Sequence, residues 1–517
     1  MRLFKEFQST SSTGKQAGKS PSQRMTLNDI NYQVKRSNST KNWRRWFGYD
    51  PDPSDLVGEF IASKIGEHLA ASIYGVGEEA GELSPKVELV LDVKNKELKL
   101  ASKYLNAGDD RFSGGTLDEI WRGTLPQSAE EIKGHAIISS GGSSLQKDDP
   151  RKLLKLDEEI TTRIGGKEVK ISLSKKQLFQ SMKLSMLLGD HDVNPGNLYV
   201  TYNKLETQAR VCRIDYGHAF SDLIKKWGRG PGKDHSPKLG EGRGVVLDSL
   251  NREKINGGQS KLARDYRGII PDHDLAGILR ENVDFGTVKN ATQECKKEFS
   301  AFLCDHTPGI GRLKNKVLRC FSTLSSRMGF GKFETKQNRL EQVLARAEEY
   351  TQNNAKEMKS VANLIDIQAY IQDVVRGTIT PESANQQITE LYGKDDRYLL
   401  GKSPLDPVEW VKMEGEKKPA KCSLVDYIAL RAKSCNIEEK TRLEALARIV
   451  QQSQQVTTQI ESQDQVRNKS QQIEHSLQSH QVDQISSQPK PIIPQSWQEK
   501  VGGKSSQQQK GHVPDWR

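Results

Sequence analysis

Residues 187–200, LLGDHDVNPGNLYV, and residues 209–220, ARVCRIDYGHAF, decide how the rest of the chain is read. Just upstream, SKKQLFQSMKLSMLL (174–188) sets Leu178, Phe179, Met182, Met186 and Leu187 at helical spacing behind Ser174 as N-cap. Gly189 ends that helix, and residues 190–197 form a loop. Residues 198–202 and 210–214 are apolar-rich runs flanking the turn NKLETQ (203–208), which predicts a β-hairpin. Asp215 directly follows the second strand. The hairpin therefore returns Asp215 to the side of Asn197.

Asp192, Asn197 and Asp215 together form the set that ATP-dependent phosphoryl transfer requires. One carboxylate accepts the proton of a substrate hydroxyl, while an amide and a second carboxylate hold divalent ions on the nucleotide phosphates. Oxygen ligands without nearby cysteine suit Mg²⁺ or Mn²⁺. Other readings account for less. The alternation of Asp190, Asp192 and Asn194 resembles an EF-hand start, but Pro195 stands where that loop needs glycine and Thr201 where it needs glutamate. His191–Asp192 has no second His/Asp cluster to form a metal hydrolase. Turn chemistry alone would explain the polar loop but not IDYGHAF. Asp284-Phe285-Gly286 lacks a catalytic-loop pattern shortly before it and is read as coincidence.

GDHDVNPGN followed by IDYGHAF resembles the catalytic and metal-binding loops of the phosphatidylinositol 3- and 4-kinase superfamily and its bacterial effector-type relatives. The resemblance implies an α+β, two-lobed protein-kinase-like fold of the lipid-kinase type, with a helical C-terminal region and a disordered tail. It matches Asp192 to the catalytic aspartate, Asn197 to the metal-binding asparagine and Asp215 to the second metal ligand. It implies ATP and Mg²⁺ (or Mn²⁺) as cofactors and an inositol hydroxyl as phosphoryl acceptor. Asn194 replaces the usual catalytic-loop histidine, which gives His218 an assisting role, and Tyr216 replaces phenylalanine. Asn-Pro-Gly-Asn is also similar to the His-Pro-Gly-Asn of aminoglycoside- and choline-kinase-like enzymes. A protein or small-molecule kinase, or a non-catalytic nucleotide-binding adaptor, thus stands as the alternative.

The 517 residues allow two or three domains of roughly 100–200 residues each. Hydrophobic residues make up 34% of the chain and mean hydropathy is −0.71, so part of it is expected to stay solvated. Six cysteines without metal-ligand spacing read as reduced, intracellular thiols. No signal core opens the sequence and no apolar run reaches membrane-spanning length. The expected setting is the cytoplasm of the producing cell, and the effector resemblance adds secretion into a host cytoplasm. A net charge of +11 favours an anionic partner, here a phosphoinositide membrane surface; no nucleic-acid motif is visible.

In chain order, residues 1–24 read as a flexible N-terminal segment. TGKQAGKS (13–20) lacks the first glycine of a P-loop, although Gly14 and Gly18 leave a glycine-rich turn over phosphates open. Residues 25–110 are expected to form the small lobe. INYQVK (30–35) alternates as a strand, and the resemblance makes Lys35 a phosphate-contacting lysine. A helix from Ser54 carries Val57, Ile61, Ile65, Leu69 and Ile73 at steps of four. On it the resemblance places the lysine's partner at Glu59, while helical projection keeps Glu67 as a rival. Residues 87–93 and 97–104 form a second hairpin, with Lys103 near the hinge as the alternative cofactor lysine. Residues 111–335 complete the large lobe. Within it, SDLIKKWGRGPGKDHSPKLGEGRG (221–244) occupies the place of an activation loop. Its Lys225, Lys226, Arg229 and Lys233 would read an anionic headgroup, with Trp227 at the membrane interface. Residues 336–450 read as a helical accessory region for a protein partner, or as packing against the lobe. Eighteen of the 67 residues from Gln451 onward are glutamine, so residues 451–517 read as a disordered Gln/Ser-rich tail.

Overall fold

Strand alternation and helix periodicity are realised in an α+β chain. The structure, a computed structural model, describes residues 2–9, 22–36, 54–75, 81–92, 97–123, 137–139, 153–164, 166–190, 193–205, 207–217, 219–220, 245–251, 254–255, 258–259, 272–304, 336–394, 399–401, 403–412 and 420–486. It divides into two units, residues 1–451 and residues 452–517.

The first unit opens with strands β1 (Arg2–Leu3), β2 (Gln8–Ser9), β3 (Ser22–Leu27), β4 (Ile30–Arg36), β5 (Val87–Asp92) and β6 (Glu97–Lys103). They form a six-stranded sheet in the order β1-β5-β6-β4-β3-β2. Successive side chains of a strand face opposite sides, and β4 shows the consequence. Tyr32 and Val34 enter a small outer core with Phe7, Met25, Leu27, Val90 and Ala101. Lys35 takes the other side, where its cross-strand neighbour Leu100 joins the main core. Helix α1 (Ser54–Tyr74) covers that inner face, burying Val57, Phe60, Ile61, Ile65, Leu69 and Ile73 with Leu89 and Leu100.

Residues 2–9 depart from the flexible segment expected at 1–24. β1 pairs with β5 and β2 with β3. Phe7 is buried edge-on against Tyr32 at 5.3 Å. Lys99 lies 3.4 Å from the centre of the Phe4 ring while bonding Asp92. Strands of two residues leave almost no alternation to read in the sequence. The glycine-rich turn at Gly14 and Gly18 lies outside the described residues.

After β7 (Phe112–Thr116) come α2 (Leu117–Gly123), β8 (Ile137–Ser139), β9 (Leu153–Lys155), β10 (Glu159–Ile164), β11 (Lys167–Leu173) and α3 (Lys175–Leu187). The hairpin β12 (Leu198–Asn203) and β13 (Gln208–Arg213) then completes a five-stranded sheet in the order β10-β11-β13-β12-β7. The Ser174 hydroxyl caps α3 by accepting from the Gln177 N–H. Gly189 ends the turn at φ +63°, a conformation open to glycine without strain, and the hydroxyl end of Tyr350 fills the space where a Cβ would stand.

Helices α4 (Val245–Asn251), α5 (Asp272–Arg280), α6 (Phe285–Cys304), α7 (Lys336–Arg376), α8 (Pro381–Lys394), α9 (Leu424–Ala432) and α10 (Ile437–Ser486) follow. Residues 336–450 pack into the main core, the second of the two readings. Val343, Met358, Val361 and Leu364 of α7 share one core with Leu178 and Met182 of α3 and Ile278 of α5. Trp410 stacks on Tyr427 at 4.5 Å and joins the same core, as do Leu443, Leu446 and Val450. In the second unit, helix rather than disorder runs from 452 to Ser486. No proline or glycine occurs between 451 and 486, and glutamine, glutamate, lysine and arginine are good helix formers. Its described side chains are mostly exposed, Val466 and Ile473 included. Among the described residues no helix is long and apolar enough to cross a membrane.

Candidate active site

Three chain segments converge on one ammonium group. Lys35 of β4 donates to Glu59 Oε1 at 2.6 Å and stands 3.0 Å from Asp215 Oδ1. β4 parity aims Lys35 at α1, and Glu59 stands near the start of that helix. The hairpin β12–β13 delivers Asp215 from the other sheet. Burial disfavours the Lys35 ammonium, but Asp215 and Glu59 outweigh it and hold its pKa well above the ordinary lysine value. Burial likewise pushes the Asp215 carboxyl up. The charges of Lys35 and Arg213, with hydrogen bonds from Lys35 and the Gly217 N–H, bring it down to about 2. Both groups are therefore charged across the neutral range. The Asp215 side chain keeps 35% of its surface open, so a ligand can reach it.

Asn197 ends a 3-10 turn, Pro195–Asn197. The side-chain carbonyl oxygen of Asn194 accepts from the Gly196 N–H at 2.9 Å and caps this turn. The Asn197 backbone carbonyl accepts from the Ile214 N–H at 3.1 Å and from Arg213 Nη1 at 3.0 Å. Asn197 is thereby fixed against the strand end that precedes Asp215.

A fully buried ion pair, which reading the motif alone misses, ties the two loops together. Arg213 Nη2 meets Asp190 Oδ2 at 3.0 Å, and neither side chain has any exposed surface. Asp190 lies two residues before Asp192, and Arg213 two before Asp215. A signal was present: Ala209, Val211 and Arg213 share one strand face, and a charge on an apolar face needs a partner. Tyr216 is also buried, its hydroxyl 3.4 Å from Ser84 Oγ. It seats against α1 at Gly66, where an added Cβ would come within 2.6 Å of that hydroxyl.

The other candidates separate. Lys103 bonds Glu82 at 2.6 Å, not Glu59. Glu82 also accepts from the Asn106 N–H, and Asn106 reaches Thr201 of β12, so this network links the end of β6 to the second sheet. Glu67 faces Lys64 at 3.8 Å rather than Lys35. Asp284 caps α6 through the Gly286 N–H and the Thr287 hydroxyl, a structural use of that Asp-Phe-Gly triplet. Asp192, His218, Lys225, Lys226, Arg229 and Lys233 lie outside the described residues.

A search of curated proteins finds no match to the chain. A crystal structure of a Helicobacter pylori proinflammatory kinase, CtkA, is similar over 67% of this chain and 97% of that one, at 11% identity and a TM-score of 0.29. Residues 168–227 match the LepB N-terminal domain family. That match runs from β11 through α3 and the hairpin past Asp215, so it falls on the segment that supplies Asn197 and Asp215.

Proposed function

We propose that the chain is a kinase-fold phosphotransferase that moves the ATP γ-phosphoryl group onto an inositol hydroxyl of a phosphoinositide. One observation carries the phosphotransferase reading: Lys35 held between Glu59 and Asp215. A lysine fixed by a helix glutamate, beside a carboxylate that can ligate metal, is the arrangement on which kinase phosphate binding depends. The donor set fits the cofactors. Asp215, ionised at neutral pH, and the Asn197 amide would hold Mg²⁺ or Mn²⁺, and Lys35 would contact the nucleotide phosphates. The ion, when bound, neutralises charge on the transferring phosphoryl group. Glu59 orients Lys35, the Arg213–Asp190 pair fixes the two loops against each other, and Asp192 takes the hydroxyl proton by its place in the motif.

The lipid acceptor is supported by the resemblance of GDHDVNPGN and IDYGHAF to phosphoinositide kinases and by the bases of 221–244. Purified full chain with ATP and Mg²⁺ is assayed on phosphatidylcholine vesicles containing phosphoinositides and on generic protein substrates. Phosphorylated lipid is the expected product. Attraction to an anionic surface is worth about 1 kcal/mol per basic side chain, so reversing Lys225, Lys226 and Arg229 together lowers vesicle activity by orders of magnitude. Basal ATP hydrolysis stays near wild type. Transfer only to protein removes the lipid acceptor but keeps the kinase, and absence of ATP turnover removes both.

A further inference from the structure

Helix α1, which carries Glu59, is gripped on a second face by α6. At 3.6 residues per turn, Phe60, Lys64, Glu67 and His68 form one stripe, about a quarter to a half of a turn around the helix from Glu59 and Gly66. Glu59 and Gly66 face Lys35 and Tyr216. The other stripe faces α6. Lys64 Nζ meets Glu294 Oε1 at 2.6 Å and Glu298 Oε1 at 3.0 Å, and His68 Nε2 meets Glu294 Oε2 at 2.7 Å. Phe60, the neighbour of Glu59, packs edge-on against Phe299 at 5.2 Å. Lys64 is buried, whereas Glu294 keeps 40% of its side chain exposed, so the clamp closes over the ammonium from the solvent side.

α6 is itself anchored to the helical body. Val288, Ala291, Cys295 and Phe299 enter the main core, Thr292 bonds Glu348 of α7, and Lys296 pairs with Glu341 at 2.6 Å. A continuous chain of contacts therefore leads from α7 through α6 and α1 to Glu59 and Lys35. We infer that α6 is a built-in brace, with Lys64, Glu294, Glu298 and Phe299 acting as positioning residues that hold α1 where Glu59 engages Lys35. The inference rests on the phosphotransferase reading for its catalytic consequence, but the position of Lys35 can be measured without turnover.

The test compares wild type with E294Q/E298Q, K64M and K64R in the full chain. Reaction of Lys35 with acetic anhydride, followed by mass spectrometry, reports loss of its Glu59 partner, with E59Q as the reference for a lysine held by Asp215 alone. Turnover is measured in parallel, and thermal unfolding checks that each variant is folded. Lys35 acetylation in E294Q/E298Q and K64M should rise toward the E59Q rate. Their kcat should fall about tenfold, with a smaller change in KM for ATP. K64R, which keeps the charge and both partners, should stay near wild type in each readout. Wild-type acetylation of Lys35 in folded E294Q/E298Q overturns the brace, and raised acetylation with unchanged kcat in an active enzyme overturns its catalytic consequence. If wild type transfers no phosphoryl group while Lys35 acetylation follows the clamp, the brace stands and the catalytic reading falls.

Discussion

Asp215 answers to Lys35, to Arg213 and to the Gly217 N–H, and together they overcome burial to keep it ionised. Its removal leaves Lys35 paired with Glu59, so the fold should persist while the proposed metal ligand is lost. Asp215→Ala should lower phosphoryl transfer by about 10²–10³-fold, the scale of losing one preorganised charge-stabilising group. A folded Asp215→Ala protein with wild-type turnover would falsify the metal assignment. The Asp190–Arg213 pair predicts the opposite balance. Breaking a buried pair from one side costs about 3–5 kcal/mol, because a charge is stranded. Asp190→Ala should lose that much in urea denaturation, whereas Asp190→Leu with Arg213→Met should recover most of it. In the sequence, the loop motif pointed to Asp215 and the family resemblance pointed to Lys35, and the structure brings the two within 3.0 Å. The choice of Glu59 over Glu67 was not legible, because helical projection gives the apolar face of α1 but not which neighbour covers each edge. The partner of Lys103, Glu82, was hidden for a similar reason: it lies on a loop, which no periodicity places.

At the scale of elements, amphipathic periodicity and capping predicted α1, α3 and the hairpin β12–β13 close to their observed limits. Strands β1 and β2 were invisible because each has two residues. The contact of α5 with α7 also escaped notice, although it carries a titratable cluster. His273 Nδ1 lies 2.7 Å from Asp366 Oδ1 and Nε2 lies 3.2 Å from Asp373 Oδ2, with Arg280 also on Asp366. Partial burial lowers the His273 pKa, but the hydrogen bonds and charges of Asp366 and Asp373 raise it by more, for a net upward shift. A raised folded-state pKa contributes stability that is fully present below the ordinary histidine value of about 6.5 and lost as pH rises through the folded value. The imidazole is half-exposed, so the effect is modest. Melting temperatures of wild type and His273→Gln should differ most at pH 5–6 and converge toward pH 9, about the range over which a histidine loses its charge. A difference that grows with pH would show that the imidazole is not held as a cation here.

Across the whole molecule, the main core runs from Leu56 to Val450, which places the structural boundary near residue 451 rather than 335. Sequence periodicity marked residues 336–450 as helical but could not show what their apolar stripes cover, because that depends on α3, α5 and α6 in space. Composition likewise showed that residues beyond 451 lack a core, and the helix that forms there needs none of its own to persist as far as Ser486. These two facts make opposite predictions for truncation. A chain ending at residue 455 keeps Leu443, Leu446 and Val450 and loses only residues of the second unit. It should melt within about 4 °C of the full chain, under ~1 kcal/mol for a domain of this size, and keep its turnover. A chain ending at residue 335 would remove the Val343, Met358, Val361 and Leu364 side chains from the core that Leu178, Met182 and Ile278 share. Each buried aliphatic side chain lost contributes about 1.5–3 kcal/mol, so the remainder should fail to fold. Circular dichroism melts and gel filtration of the two truncations decide the matter. A cooperative, monomeric melt from the chain ending at 335 would restore an accessory role for residues 336–450. Unfolding of the chain ending at 455 would instead make the second unit part of the folded core.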